Sequence, residues 1–536
     1  MRRVTTRRRL ATALLLAATT VGSTACTNEA AADPTHMHTG SGELRGVRDN
    51  DIVRFRGVPY AEPPTGSQRW APPKPVRPWD GVREASAPGP PCAQAGNPPE
   101  GSTAEDCLYL DITVPANSAT VRRPVLVWLH GGGFSSGAGT EYDPRRLAVQ
   151  GDVVVATVDF RLNIFGNLAL PGMTDGGSYG LQDQQAALAW LRRNAAAFGG
   201  DPGNITLFGQ SGGAVAICGQ LTSPAARGLF SKAILQSGSC HTTLAANASG
   251  PESPAFGAFW RPKAQAERSS AQAAAALGCP PGGDQLGCLR ALPVDKLLTQ
   301  AGTATAATVG GTTLPVDPRD GLKQALDVPV LSGNTADEQR TVAGVYELLG
   351  KPITAAQYPE LLAKGFGAAA AAVQQQYPLR DYPTPGLAWA AVYTDSGFAC
   401  PQQQTDTALA ARGPVFGYRF ADPTAPPLIP VPPTFQPGAS HASELFYLFD
   451  VKGKPVHLDG STYPLTAAQQ QLAERMIAAW STFAHTGNPG HTRTADQWPA
   501  WDPAAPKVHE FTADADRPST VDPAAAHQCG FWSSLH

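Results

Sequence analysis

The chain has 536 residues, 42% hydrophobic and 16% charged, which suits a large packed core and not an extended disordered protein. The net charge is −3, and because the first 32 residues hold five arginines and one glutamate, the remainder stands at −7. A mildly acidic body with no basic stripe gives nucleic acid and anionic membrane surfaces no footing as partners.

Arg2, Arg3 and Arg7 to Arg9 form a basic start, followed by an apolar run from Leu10 and then small residues. This reads as an export signal over residues 1–32, leaving 33–536 as the mature chain. Thr6 to Leu10 resembles a twin-arginine signal. Two processing readings stand. Ala30 to Ala32 offers a small-residue cleavage site, whereas Ser23-Thr24-Ala25-Cys26 resembles a lipoprotein box that would place a lipid on Cys26. The second is favoured because Cys26 is the odd one among nine cysteines. The apolar run is too short to span a bilayer, so a lipid on Cys26 is the only membrane attachment expected, at the outer face of the cell membrane.

The other eight cysteines, in an exported protein, point to disulfides. Cys92 and Cys107 bracket a polar, Pro/Gly-rich loop, and Cys279 and Cys288 bracket a turn from Pro280 to Asp284, so both pairs read as local staples. No C-x-x-C or clustered His/Cys spacing points to a metal, and no cofactor is expected.

Continuous apolar runs at Val125 to Leu129 and Val153 to Val158 read as buried parallel strands. Ser178 to Asn194 reads as a helix with an apolar face. A strand from Ile205 to Phe208, a helix from Ala214 to Leu221 and a strand from Lys232 to Gln236 follow. Later strand candidates are Val328 to Leu331 and Val415 to Phe420. Between Ala421 and Ala439 seven of nineteen residues are proline, which predicts a stiff extended loop. Strands alternating with helices imply an α/β core with a mostly parallel sheet, in one large domain.

The pattern G-x-S-x-G occurs three times, around Ser135, Ser178 and Ser211. Only Ser211 follows a strand candidate and opens a helix candidate, the context in which a sharp turn lifts a serine hydroxyl above a sheet edge. Ser211 is the candidate nucleophile, and the other two serines read as loop residues. Serine needs a base, an orienting acid and donors for an oxyanion. The donors have a source in His130-Gly131-Gly132-Gly133-Phe134, directly after a strand, so the amides of Gly132, Gly133 and Gly212 are expected to form the oxyanion hole. His130 reads as loop support.

In the fold that carries such an elbow the acid and then the histidine follow the serine. Histidines after residue 440 are His441, His457, His485, His491, His509, His527 and His536. His441 stands out, lying between the proline-rich loop and an apolar segment. For the acid, Asp337 and Glu338 both follow a short strand and Gly333-Asn334, and Asp395 is a further candidate.

The stretches RFRGVPYAEPPTG (54–66), EDCLYLDITVP (105–115), HGGGF (130–134), YGLQDQQAALAWLRRNAAAFGGDPGNITLFGQSGG (179–213), GLFSKAILQSGS (228–239) and GASHASELFYLF (438–449) resemble the type-B carboxylesterase/lipase family, the carboxylesterase and cholinesterase branch of the α/β-hydrolases. The resemblance runs from about Arg54 to Trp532. It implies an α/β-hydrolase fold with a large, mostly parallel sheet flanked by helices. By family spacing the acid falls on Glu338, five residues after Gly333, and the base on His441. Family disulfides fall on Cys92–Cys107, Cys279–Cys288 and Cys400–Cys529. Cys218 and Cys240 have no counterpart in that set and are expected to pair with each other.

Two departures from the family pattern flank the serine. Gln210 replaces a common glutamate, removing a negative charge, and Gly212 replaces a common alanine, keeping the amide while loosening the turn. The stretch 92–107 also lacks the tryptophan with which cholinesterases hold a quaternary ammonium, which disfavours choline esters. The resemblance implies a serine carboxylic-ester hydrolase acting on a small-molecule ester. Rival readings are a lipase on longer-chain glycerides and a catalytically silent binding protein of the same fold, the latter opposed by the presence of all three triad residues.

Overall fold

Eleven strands form the central sheet. In chain order they are β1 (Val47–Asp49), β2 (Ile52–Pro59), β3 (Tyr109–Pro115), β4 (Arg123–Leu129), β5 (Val154–Val158), β6 (Gly200–Gln210), β7 (Lys232–Gln236), β8 (Val330–Thr335), β9 (Val415–Phe420), β10 (Val508–Phe511) and β11 (Thr520–Val521). The spatial order is β11-β10-β9-β8-β7-β6-β4-β5-β3-β2-β1. Pairing is parallel from β10 through to β5 and antiparallel at both margins. The computed structural model describes residues 33–96, 101–117, 121–173, 175–451, 457–458, 460–491, 497–514 and 519–535. Pro34–His536 forms one compact unit. Residues 1–32, where an export signal is expected, and with them Cys26, lie outside the described residues, as does His536.

The mostly parallel sheet expected from the sequence is present, and its central strands explain why periodicity found them. Every residue of β4, β5 and β7 is buried, because helices cover both faces and a strand covered on both sides needs apolar residues throughout. Along β4, Val125, Val127 and Leu129 pack into one apolar layer while Leu126 and Trp128 pack into the other. The first layer includes apolar residues of α1 (Tyr179–Asn194) and α2 (Gly212–Thr222), and the second those of α3 (Ala467–Thr486). The α3 residue Trp480 donates its indole N–H to Gln236 Oε1 at 3.0 Å, tying that helix to the end of β7.

Boundaries differ from the sequence reading where polar residues mask an element. β6 begins five residues before Ile205 because a polar stretch extends it, and α2 begins at Gly212 because Ser211 itself caps the turn. The marginal strands β1 to β3 had no strand assignment from periodicity; they mix charged and apolar residues, as expected where one face meets solvent.

The four pairs Cys92–Cys107, Cys218–Cys240, Cys279–Cys288 and Cys400–Cys529 are all bonded, with Cα–Cα separations of 4.9, 5.2, 5.8 and 5.3 Å. The last closes 129 residues of chain, fastening the C-terminal helical turn to the helix Cys400–Ala410. Among the described residues, no helix is long and apolar enough to cross a membrane.

Candidate active site

Strand β6 ends at Gln210 and α2 starts at Gly212, so one residue makes the whole turn. Ser211 has φ 55° and ψ −122°, a strained conformation for a residue with a side chain. The strain is held from both sides. The Ser211 N–H donates to the Gln236 carbonyl on β7 at 2.8 Å, and its own carbonyl accepts from Val215 N–H at 3.0 Å. Gly238 permits this closeness, since a Cβ there would stand 2.5 Å from the Ser211 carbonyl oxygen.

The loop after β4 turns sharply at Gly132 and Gly133, which have φ of 104° and 59°. The Gly132 carbonyl accepts from the N–H groups of Ser135 and Ser136 at 3.0 and 3.2 Å, closing the turn. Among the described residues, the amides of Gly132, Gly133 and Gly212 donate to no protein acceptor. The loop and the elbow touch directly, because a Cβ on Gly212 would lie 2.7 Å from Gly133 N and 3.2 Å from Phe134 N. Gly212 therefore permits a close approach, and the turn is tight where the sequence suggested a looser one. His130 supports this loop as expected. It is buried, stacks on Phe160 with ring centroids 4.5 Å apart, and pairs through Nδ1 with the Gly131 carbonyl at 2.8 Å. Burial pushes its imidazole down to about 4, so it stays neutral.

His441 and Glu338 meet, Nδ1 against Oε2. The carboxylate is fully buried, and its other oxygen accepts from the Thr335 N–H at 2.9 Å. Asp337 faces elsewhere. It pairs with Arg340 at 3.0 Å and accepts from the Ala439 N–H at 3.0 Å, clamping the two loops that carry Glu338 and His441. Asp395 is also elsewhere: its carboxylate meets His527 Nδ1 at 2.8 Å and accepts from the Tyr377 hydroxyl at 2.7 Å. Ser178 is buried, with its hydroxyl on the Thr308 carbonyl, and Ser135 bonds to Gly132. Of the histidines after residue 440, it is His441 that meets Glu338.

Burial works to lower the His441 pKa, but the charge of Glu338 and its hydrogen bond outweigh this, helped by Glu444, and the net shift is upward. Glu444 is completely buried three residues beyond His441. Burial first, and then the Glu338 charge, push it up to about 7. Its Oε1 accepts from Gln236 at 3.4 Å, and its Oε2 has no hydrogen-bond partner. The ring of Phe398, on a π-helical segment Asp395–Ala399, packs 5.2 Å from the His441 ring. The sequence reading missed both. Glu444 left a signal, an acid directly before the run Leu445–Phe449, whereas Phe398 left none. The Gln210 side chain lies 3.1 Å from His441 through two Nε2 atoms.

A strained serine at a strand-to-helix elbow, free backbone amides beside it and a buried acid–histidine pair define the working end of an α/β-hydrolase. Residues 33–532 match the model of the carboxylesterase family, and the chain belongs to that family. It is 33% identical to a para-nitrobenzyl esterase of Bacillus subtilis (strain 168), over 86% of this chain and 91% of that one. It is 34% identical to a fumonisin B1 esterase of Sphingopyxis macrogoltabida (87% and 84% covered) and 34% identical to a phenmedipham hydrolase of Pseudarthrobacter oxydans (90% and 96% covered). The chain is a carboxylic-ester hydrolase acting on small-molecule esters.

Proposed function

We propose an exported serine esterase that works through an acyl-enzyme on Ser211, with His441 as base and Glu338 as the acid that orients it. The observation that carries this reading is the Glu338–His441 pair beside the strained elbow that presents Ser211. As Ser211 Oγ bonds to the ester carbonyl carbon, its proton passes to His441 Nε2 and the carbonyl π pair moves to oxygen. The amides of Gly132, Gly133 and Gly212 receive that oxyanion. Glu338 stabilises the imidazolium, and collapse of the intermediate breaks the bond to the alcohol oxygen, which leaves with the proton from Nε2. Water repeats the sequence on the acyl-enzyme, releasing the acid and restoring Ser211.

Export is supported by the four bonded cysteine pairs, which persist in oxidising compartments. Attachment through a lipid on Cys26 is part of the proposal, and radiolabelled palmitate in wild type but not in Cys26→Ala tests it. Relatives named para-nitrobenzyl esterase and fumonisin B1 esterase favour soluble esters over bulk glycerides. A chain-length series of p-nitrophenyl esters, with a pre-steady-state burst of p-nitrophenol at saturating acetate ester, tests the reading. Short acyl chains and a burst matching the enzyme concentration are expected. A maximum at long chains above their solubility limit would instead indicate a lipase.

A further inference from the structure

Gln210 stands between the two halves of the site. It is 3% exposed. Its carboxamide oxygen lies against the oxyanion loop, where a Cβ on Gly131 would stand 2.9 Å from Oε1, and its Nε2 faces His441 Nε2 at 3.1 Å. An amide nitrogen can only donate, so the ring nitrogen opposite it carries the lone pair. The proton of a neutral His441 then sits on Nδ1, against Glu338. This is the tautomer a general base needs. It also means that the lone pair destined for the Ser211 proton is already engaged. Among the described residues, no hydrogen bond joins His441 to the Ser211 hydroxyl, and Gln210 is the partner that Nε2 has.

We propose that Gln210 is a positioning residue that caps His441 Nε2 in the free enzyme, fixing the base tautomer, and gives the nitrogen up to Ser211 when substrate fills the site. This rests on the Ser211–His441–Glu338 reading and adds a resting state to it. A carboxamide suits the task because it carries no charge. The charged groups facing His441 are Glu338 and Glu444. A glutamate at position 210, common in the family, would add a third carboxylate and could only accept, which favours the protonated ring. Glutamine favours the neutral one.

The direct readout is the Nε2 resonance of His441 in substrate-free protein labelled with ¹⁵N-histidine, at a pH where the ring is neutral. If Gln210 is the partner, Ser211→Ala leaves this resonance in place while Gln210→Met moves it towards the value of an unbonded lone-pair nitrogen. Because the cap is released when substrate binds, Gln210→Met should leave kcat little changed and lower KM about 5–10-fold, the scale of one lost neutral hydrogen bond. Gln210→Glu, which keeps shape and a polar group, should instead move the acid limb of the kcat/KM profile to higher pH and recover activity there. A resonance that moves as far in Ser211→Ala, or stays put in Gln210→Met, overturns the cap, as does an unmoved limb in Gln210→Glu. Full activity in Ser211→Ala would overturn the underlying triad instead, so the two failures are distinct.

Discussion

Glu338 and His441 are joined twice. The carboxylate meets the ring at Nδ1, and the backbone N–H of His441 donates to the Glu338 carbonyl at 3.1 Å. The neighbouring bond from Asp337 N–H to the Ala439 carbonyl, at 2.9 Å, runs the other way between the same loops. One short backbone ladder therefore sets the loops that carry acid and base, and the ring is held by its own bond to Glu338.

Glu338→Gln keeps the side-chain shape and removes the charge opposite the imidazolium. Turnover should fall roughly 10²–10⁴-fold with little change in melting temperature. Asp337→Asn should cost far less, because Asp337 serves a half-exposed pair with Arg340 of the kind worth about 0–1 kcal/mol. Steady-state kinetics on both variants check this. A crippled Asp337→Asn beside a mild Glu338→Gln would mean the acid is misassigned.

The upward shift of His441 fixes the sign of the pH dependence. Activity requires the neutral ring, so the rising limb of kcat/KM should lie above the ordinary histidine value of about 6.5. Removing a facing negative charge destabilises the imidazolium, so both Glu338→Gln and Glu444→Gln should move the limb to lower pH. Profiles between pH 5 and 9 measure it, and a limb that rises in either variant would contradict the electrostatics.

Gly212→Ala sets two effects against each other. Replacing glycine at a helix start ordinarily gains about 0.5–1 kcal/mol. Here the new Cβ would lie 2.7 Å from Gly133 N, a backbone atom of the oxyanion loop that must move aside. The clash should win, lowering kcat by up to about 10²-fold, the lower range for losing one oxyanion donor. Unchanged kcat would show that the loop yields freely.

The central strands and the elbow were legible because burial on both faces of the sheet writes continuous apolar runs, and because a strand, a Gly-flanked serine and a helix in succession have few other uses. The marginal strands were not, since solvent on one face admits charge and breaks the run. In the site, residue type and context pointed to Ser211 and favoured His441, whereas the residues alone left Asp337, Glu338 and Asp395 open and only the family resemblance selected Glu338. What separates them is direction: which carboxylate turns inward depends on the pairing of two loops some hundred residues apart in sequence. Phe398 lies on a π-helical segment that no sequence pattern announced, and Gln210 was visible only as a departure, its contact with His441 arising from the fold.

The central claim is that Ser211 forms the acyl-enzyme. Stoichiometric inactivation with an organophosphate, followed by peptide mass spectrometry, tests it most directly. One label per chain on the peptide carrying Ser211 is predicted, together with loss of labelling and about 10⁶-fold lower turnover in a folded Ser211→Ala variant. A label on Ser135 or Ser178, or ester hydrolysis undiminished in Ser211→Ala, would contradict the account.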